Sequence, residues 1–130
     1  MSVDFSVEEG IDTTVYRISK THFSQVLDNL VNNAVRAVPP GGEVSARLFQ
    51  SGTQLRMKVE DSGSGMPDTF IPIAFDRFSR PDEQRGSAEG GNGLGLSIVA
   101  AIVANAGGTI TLANRTEGGL TAEVILPNAT

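Results

Sequence analysis

The tetrad Pro39-Pro40-Gly41-Gly42 divides the first half of the chain into two incompatible periodicities. Upstream, Ser19 or Thr21 can cap a helix in which Phe23, Leu27, Leu30, Ala34 and Val38 fall on one stripe, at ~100° per residue, with Val31 beside it. Two consecutive prolines cannot continue that helix, so it ends near Val38. Downstream, residues 43–49 and 55–60 read as the two strands of a hairpin closed near Ser51-Gly52. An amphipathic helix and a hairpin held this close in sequence require a layered α/β arrangement.

The remaining segments agree with that requirement. Residues 3–7 and 13–18 alternate or favour β-branched side chains, with a turn at Glu9-Gly10 between them. Met66-Pro67-Asp68 starts a short helical piece running through Phe75. Residues 79–92, with Pro81, several glycines and mixed charge, read as a mobile loop. A helix over 93–105 stops at Gly107-Gly108. Strands over 109–112 and 120–126 follow, joined by a turn at Glu117-Gly118-Gly119. Strands mixed with helices in this order imply helices packed on one face of a mixed sheet. The 130 residues fit one domain, 1–130, with a buried core.

Charge and cysteine content exclude several functions. The net charge is −5 and no basic block occurs, which argues against nucleic acid or an anionic membrane surface as partner. Cysteine is absent, so there is neither a disulfide framework nor a thiolate metal site, and a reducing compartment fits. Residues 90–114 carry no charge, but Asn92, Asn105 and glycines interrupt them, and the apolar part at 94–104 is about half the ~20 residues of a membrane span. Early Asp4, Glu8 and Glu9 are unlike a signal peptide.

Three segments carry candidate chemistry. On the stripe opposite the apolar one, the first helix holds His22, Gln25, Asn29, Asn33 and Arg36. Asparagine is a middling helix former, so Asn29, Asn32 and Asn33 together weaken the helix. Two amide carbonyls at i,i+4 and a guanidinium three residues on suit a hard cation with phosphates, although a solvated polar face has the same composition. Next, Asp61-Ser62-Gly63-Ser64-Gly65 places a carboxylate at a strand end before two glycines that let a flat ligand approach the backbone. Asp61 could accept from an exocyclic amine such as that of adenine; a capped tight turn is the commoner meaning of such a segment. Finally, Gly91-Asn92-Gly93-Leu94-Gly95-Leu96 leads into an apolar helix and could offer free backbone N–H groups to phosphate. It lacks the Gly-Lys-Ser/Thr of a Walker loop and the dinucleotide spacing.

In combination these segments resemble the catalytic ATP-binding domain of sensor histidine kinases, within the gyrase and heat-shock chaperone ATPase superfamily. Residues 25–36 look like the family's N box, Asp61 to Gly65 like its G1 box, Phe75-Asp76-Arg77-Phe78 like its F box and Gly91 to Leu96 like its G2 box. The resemblance covers nearly the whole chain, its final strand included. It implies an α+β fold, a two-layer sandwich of about five mixed strands against three helices, with a flexible lid over ATP. Asn33 would be the Mg²⁺ ligand, with Asn29 beside it and Arg36 toward the phosphates. Asp61 would read the adenine amine, with Thr121 near it, and Gly63 and Gly65 would admit the nucleotide. Gly91 belongs to the phosphate cradle, in which Gly93, Leu94, Gly95 and Leu96 would present amides. Phe75 and Phe78 would anchor a lid over roughly residues 67–92, in which Arg77, Arg80 and Arg85 are candidate cations.

The resemblance further implies transfer of the γ-phosphoryl of ATP to a histidine on a separate dimerisation domain of a longer parent chain, and then to a response regulator. Alternatives are a superfamily serine kinase acting on a sigma or anti-sigma factor, and a degenerate nucleotide-sensing interaction module. His22 lacks the context of an acceptor histidine, so the fragment is expected to bind ATP without phosphorylating itself. In related ATPases a Glu four residues before the metal-binding Asn acts as general base; here Asn29 stands there, and rapid hydrolysis is not expected. The domain is expected to be cytoplasmic, without direct membrane contact, in a membrane-anchored parent. Two departures stand out: Ala37 where the family has an aromatic or His, and Glu123 where the final strand more often has a large apolar residue.

Overall fold

A computed structural model describes residues 2–11, 16–76 and 95–128. The elements are β1 (Ser2–Val7), α1 (Lys20–Ala37), β2 (Glu43–Ser51), β3 (Gln54–Asp61), a 3₁₀ turn (Ile71–Ile73), α2 (Gly95–Asn105), β4 (Thr109–Asn114) and β5 (Leu120–Pro127). The strands form one five-stranded sheet of order β1-β2-β3-β5-β4. β1 runs parallel to β2, as a strand returning after a crossover helix must, and the other neighbours are antiparallel.

Period-two alternation is clearest in β3 and β5. Leu55, Met57, Val59 and Asp61 of β3 point to one face, as do Leu120, Ala122, Val124 and Leu126 of β5, and all eight are buried. The helices cover this face, with Val26, Leu30 and Ala34 from α1 and Val99 and Val103 from α2 completing the core. The opposite face is polar, and Arg56 pairs there with Glu123 at 3.3 Å. Glu123 therefore occupies no core position, and the departure expected at that residue leaves no apolar gap.

Ser19 is the N-cap of α1: its extended backbone lets the hydroxyl accept the His22 N–H at 3.1 Å. Ser19→Ala should lower stability by about 1 kcal/mol, measured by denaturant midpoint, because a first-turn N–H then loses its partner. The helix ends at Ala37, where the Pro39-Pro40 pair requires it.

Three expectations are corrected. The buried line of α1 runs through Val26, Leu30 and Ala34 rather than centring on Phe23, Leu27 and Val38, which are only partly buried. Asn29 and Asn33 consequently sit half-buried at the edge of the core stripe, while His22, Gln25 and Arg36 are exposed. The cause is α2, which packs across α1 and covers the asparagine edge. Among the described residues there are two α-helices, and the expected third is the 3₁₀ turn, in which Pro72 falls at the start. Of the strand expected over 13–18, residues 16–18 are not strand and 12–15 lie outside the described residues.

Candidate nucleotide site

The end of β3, the middle of α1 and the start of α2 converge on one cleft. It is lined by Asn33 and Leu30 of α1, Asp61 and Val59 of β3, Leu96 of α2 and Leu120 of β5. The enclosed space is ≈ 10 Å³, about one water, so the described residues form the floor of a cleft rather than a closed chamber. The floor is apolar apart from one carboxylate and one amide, a composition suited to a flat heterocycle carrying one polar edge.

Asp61 is the buried charged residue of the described core, 3% exposed. Burial raises its pKa above the ordinary aspartate value, against the opposing pull of backbone N–H bonds from Gly63 and Leu120 and of the Arg115 guanidinium. Gly63 N–H donates to Oδ1 at 2.8 Å. A carboxylate has more acceptor sites than these bonds use, so Asp61 can also receive a ligand donor.

The two glycines of the turn have distinct reasons. A Cβ on Gly63 would overlap the Ala37 carbonyl oxygen, so the turn packs directly on the end of α1. Gly65 has φ +76°, and a Cβ there would overlap Asn114 Oδ1. Ala37 itself is exposed and meets the turn through its main chain.

Asn29 and Asn33 lie one turn apart on α1, the first beside α2: a Cβ built on Gly95 would sit 3.6 Å from Asn29 Oδ1. Among the described residues neither amide is committed to a hydrogen bond. Leu96 lines the cleft next to Asn33, whereas Arg36 is exposed on the last turn of α1, outside the lining. Phe75 is half-buried against the core beside Phe70 and Ala74. Gly91, Gly93, Leu94, Arg77, Phe78, Arg80 and Arg85 lie outside the described residues.

Thr121 is not in the cleft. Its hydroxyl donates to Glu60 Oε2 at 2.9 Å on the polar face of the sheet, because Thr121 pairs with Glu60 and so points away from Asp61. The inward neighbour of Asp61 on β5 is Leu120. Residues of the β4–β5 hairpin, which carry no site signal in the sequence, support the turn instead. Asn114 accepts the Met66 N–H at 2.8 Å and donates to the Met66 carbonyl at 2.7 Å and to Asp68 at 3.1 Å. Arg115 donates to the Asp61 carbonyl at 2.8 Å. Gly119, at φ +99°, lies so close to that same carbonyl that no side chain fits.

Residues 18–130 match the family model for histidine kinase-, DNA gyrase B- and HSP90-like ATPases. The chain is 39% identical over 128 residues to sensor protein KdpD of Escherichia coli (strain K12), covering 98% of this chain and 14% of KdpD. It is 36% identical over 110 residues to sensor histidine kinase component HK1 of Mycobacterium tuberculosis (strain H37Rv), covering 85% of this chain and 63% of HK1. The structure superposes on the nucleotide-free catalytic domain of histidine kinase ThkA with a TM-score of 0.78, at 28% identity over 98% of this chain and 78% of that one. It superposes on full-length ShkA in complex with AMPPNP with a TM-score of 0.81, at 25% identity over 99% of this chain and 26% of ShkA.

The chain belongs to the histidine kinase-, DNA gyrase B- and HSP90-like ATPase family. Within that family it is a catalytic ATP-binding domain of the sensor histidine kinase type. It spans 14% and 63% of the two curated relatives above. No helix among the described residues is long and apolar enough to cross a membrane.

Proposed function

We propose that the chain binds Mg²⁺-ATP across this cleft and presents the γ-phosphoryl to a histidine on a separate dimerisation domain, from which it passes to a response regulator. The observation that carries the proposal is Asp61, a carboxylate buried at a strand end with acceptor capacity to spare, facing a cleft that also holds an uncommitted asparagine amide. The ShkA structure, which contains AMPPNP, supports the same class of ligand.

The residues fit their roles. Asp61 accepts the exocyclic amine of adenine, and the base lies on the apolar floor of Val59, Leu96 and Leu120. Gly63 lets the turn pack on the end of α1, since a Cβ there would meet the Ala37 carbonyl, and so keeps Asp61 at the cleft. Asn33 would hold Mg²⁺ through its amide oxygen, with Asn29 alongside; hard divalent cations take such ligands. When bound, the cation supplies charge neutralisation on the transferring phosphates. The chain contributes a held, oriented donor, and positioning accounts for most of the catalysis in phosphoryl transfer. Asn29, an amide, cannot take a proton from water, which favours transfer over hydrolysis. His22, exposed in the first turn of α1, lacks the sequence context of an acceptor; the accepting histidine in this reading belongs to the dimerisation domain, and the isolated chain does not label itself. In the cell this reading places the domain in the cytoplasm, attached to a membrane-anchored parent.

The test is calorimetric titration of ATP with and without Mg²⁺ on the wild type and on Asn33→Asp. Wild type should bind saturably with Mg²⁺-dependent affinity, and Asn33→Asp should change that dependence by about tenfold or more while leaving metal-free binding within about threefold, since one ligand to a divalent ion is altered. Absence of heat with every adenine nucleotide would overturn the proposal.

A further inference from the structure

We infer that Asn114 and Arg115, at the end of β4, are positioning residues for base recognition: together they fix the acidic glycine turn so that Asp61 meets one particular base edge. This rests on the ATP-binding proposal above and goes beyond it in naming what sets base selectivity.

The argument is geometric. The turn after Asp61 belongs to no helix or strand until the 3₁₀ segment at Ile71. Its backbone is held from outside: β2 holds Ser62, whose N–H donates to the Glu43 carbonyl at 3.0 Å and whose Oγ accepts the Glu43 N–H at 2.8 Å, and the end of β4 holds Asp61 and Met66. Asn114 engages both main-chain groups of Met66, accepting its N–H at 2.8 Å and donating to its carbonyl at 2.7 Å, so one carboxamide ties down the two peptide units that flank the Met66 Cα. A third bond to Asp68 at 3.1 Å carries the grip two residues further. Gly65 has no room for a Cβ because the Asn114 side chain fills that space, so the two residues form one packed unit.

Arg115 fixes the other end. Its guanidinium donates to the Asp61 carbonyl at 2.8 Å, and its remaining groups are themselves held, at 3.9 Å from Glu60 and 3.4 Å from Glu117. Glu60 is in turn held by Thr121. The main chain at residue 61, paired with Val44 of β2, is thus also tied to the hairpin, 54 residues away along the chain. One side chain pins the peptide of Asp61 and the next pins the peptide of Met66. The stretch between them contains Gly63, whose N–H sets the Asp61 carboxylate rotamer. Neither Asn114 nor Arg115 lines the cleft, so any effect on ligand choice acts through the turn.

The prediction distinguishes positioning from general support. Inosine triphosphate differs from ATP in carrying an oxygen in place of the 6-amino group, and so lacks the donor that Asp61 would accept. In Asn114→Ala and Arg115→Gln, ATP affinity should fall about tenfold, the equivalent of one hydrogen bond to a charged group, while affinity for inosine triphosphate should stay within about twofold. The ATP-to-inosine preference therefore collapses. Arg115→Lys, which keeps a donor but not the fork, should recover part of the preference. A readout independent of nucleotide is amide hydrogen exchange in the free protein, where Gly63 and Met66 should lose protection in the variants while the β2–β3 ladder keeps it. Equal loss for both nucleotides, or unchanged protection at Gly63 and Met66, would overturn the inference. Failure of the wild type to bind any nucleotide would instead overturn the ATP reading, a separate and recognisable outcome. If Arg115→Gln does not fold, Asn114→Ala decides the question alone, since that side chain is exposed.

Discussion

Asp61→Asn is expected to weaken ATP binding at least about tenfold, read by calorimetry at neutral pH in the presence of Mg²⁺, because a charge-assisted hydrogen bond becomes a neutral one. The Gly63 N–H would still find an oxygen at this position, so the turn survives and the loss falls on the ligand. The free protein should respond in the opposite sense. Burial raises the Asp61 pKa, so the folded state binds a proton more readily than the unfolded chain does. A raised carboxyl pKa means the ionised form is penalised by folding; the penalty is full at neutral pH and is relieved as pH falls through the folded-state pKa. Asparagine removes it, so the variant should melt no lower than wild type at pH 7 and should lose the stabilisation that ATP confers. The same shift predicts that wild-type ATP affinity declines on acidification at a pH above the ordinary aspartate range, since a protonated carboxyl presents a donor where an acceptor is needed. Unaltered affinity in Asp61→Asn would remove this residue from base recognition.

Gly119→Ala has the largest expected effect on the fold. At φ +99° an L side chain is strained, and an added Cβ would overlap the Asp61 carbonyl oxygen. Strain and overpacking each cost about 1–3 kcal/mol, so a loss of roughly 3–5 kcal/mol is expected in the denaturant midpoint. That is a large share of the 5–15 kcal/mol typical of a domain. Gly118→Ala is the control: it also has positive φ, at +104°, but the nearest atom to its Cβ is 4.0 Å away, so only the strain applies. Equal losses in the two variants would mean that the contact with Asp61 is not what makes Gly119 necessary.

Local chemistry made much of this legible in advance. Ser19, the paired prolines and the turn at Ser51-Gly52 each state their structure within a few residues, and the helix and hairpin boundaries follow from them. Asp61 stands out as a carboxylate at a strand end before two glycines, and the structure buries it there, although a capped turn has the same pattern. What escaped depends on relations between distant segments. A helical wheel gives the angle between Asn29 and Leu30 but not the side from which α2 arrives, so the asparagines appeared solvent-facing when they are half-buried. Thr121 and Leu120 differ by one position, and in a strand one position exchanges the faces; the register of β5 against β3 decides which of them meets the cleft. Asn114 and Arg115 carry no signal at all, since nothing near them in sequence indicates a partner 48 or 54 residues away.

The pairing of β3 with β5 has a last consequence, for how this domain would be handled in the cell. The carboxylate proposed to read the base sits on a strand from the middle of the chain, and part of its bracing, from Arg115 and the β5 ladder, arrives only when the C-terminal hairpin docks. A chain still emerging during synthesis, or one whose last strand has frayed, therefore has no assembled pocket to offer. Nucleotide would bind the finished fold and not its precursors, adding about 2.7 kcal/mol of protection at a hundredfold excess over Kd. Cellular ATP would then act as a reporter of completed folding, shielding intact copies from proteolysis and leaving truncated ones exposed.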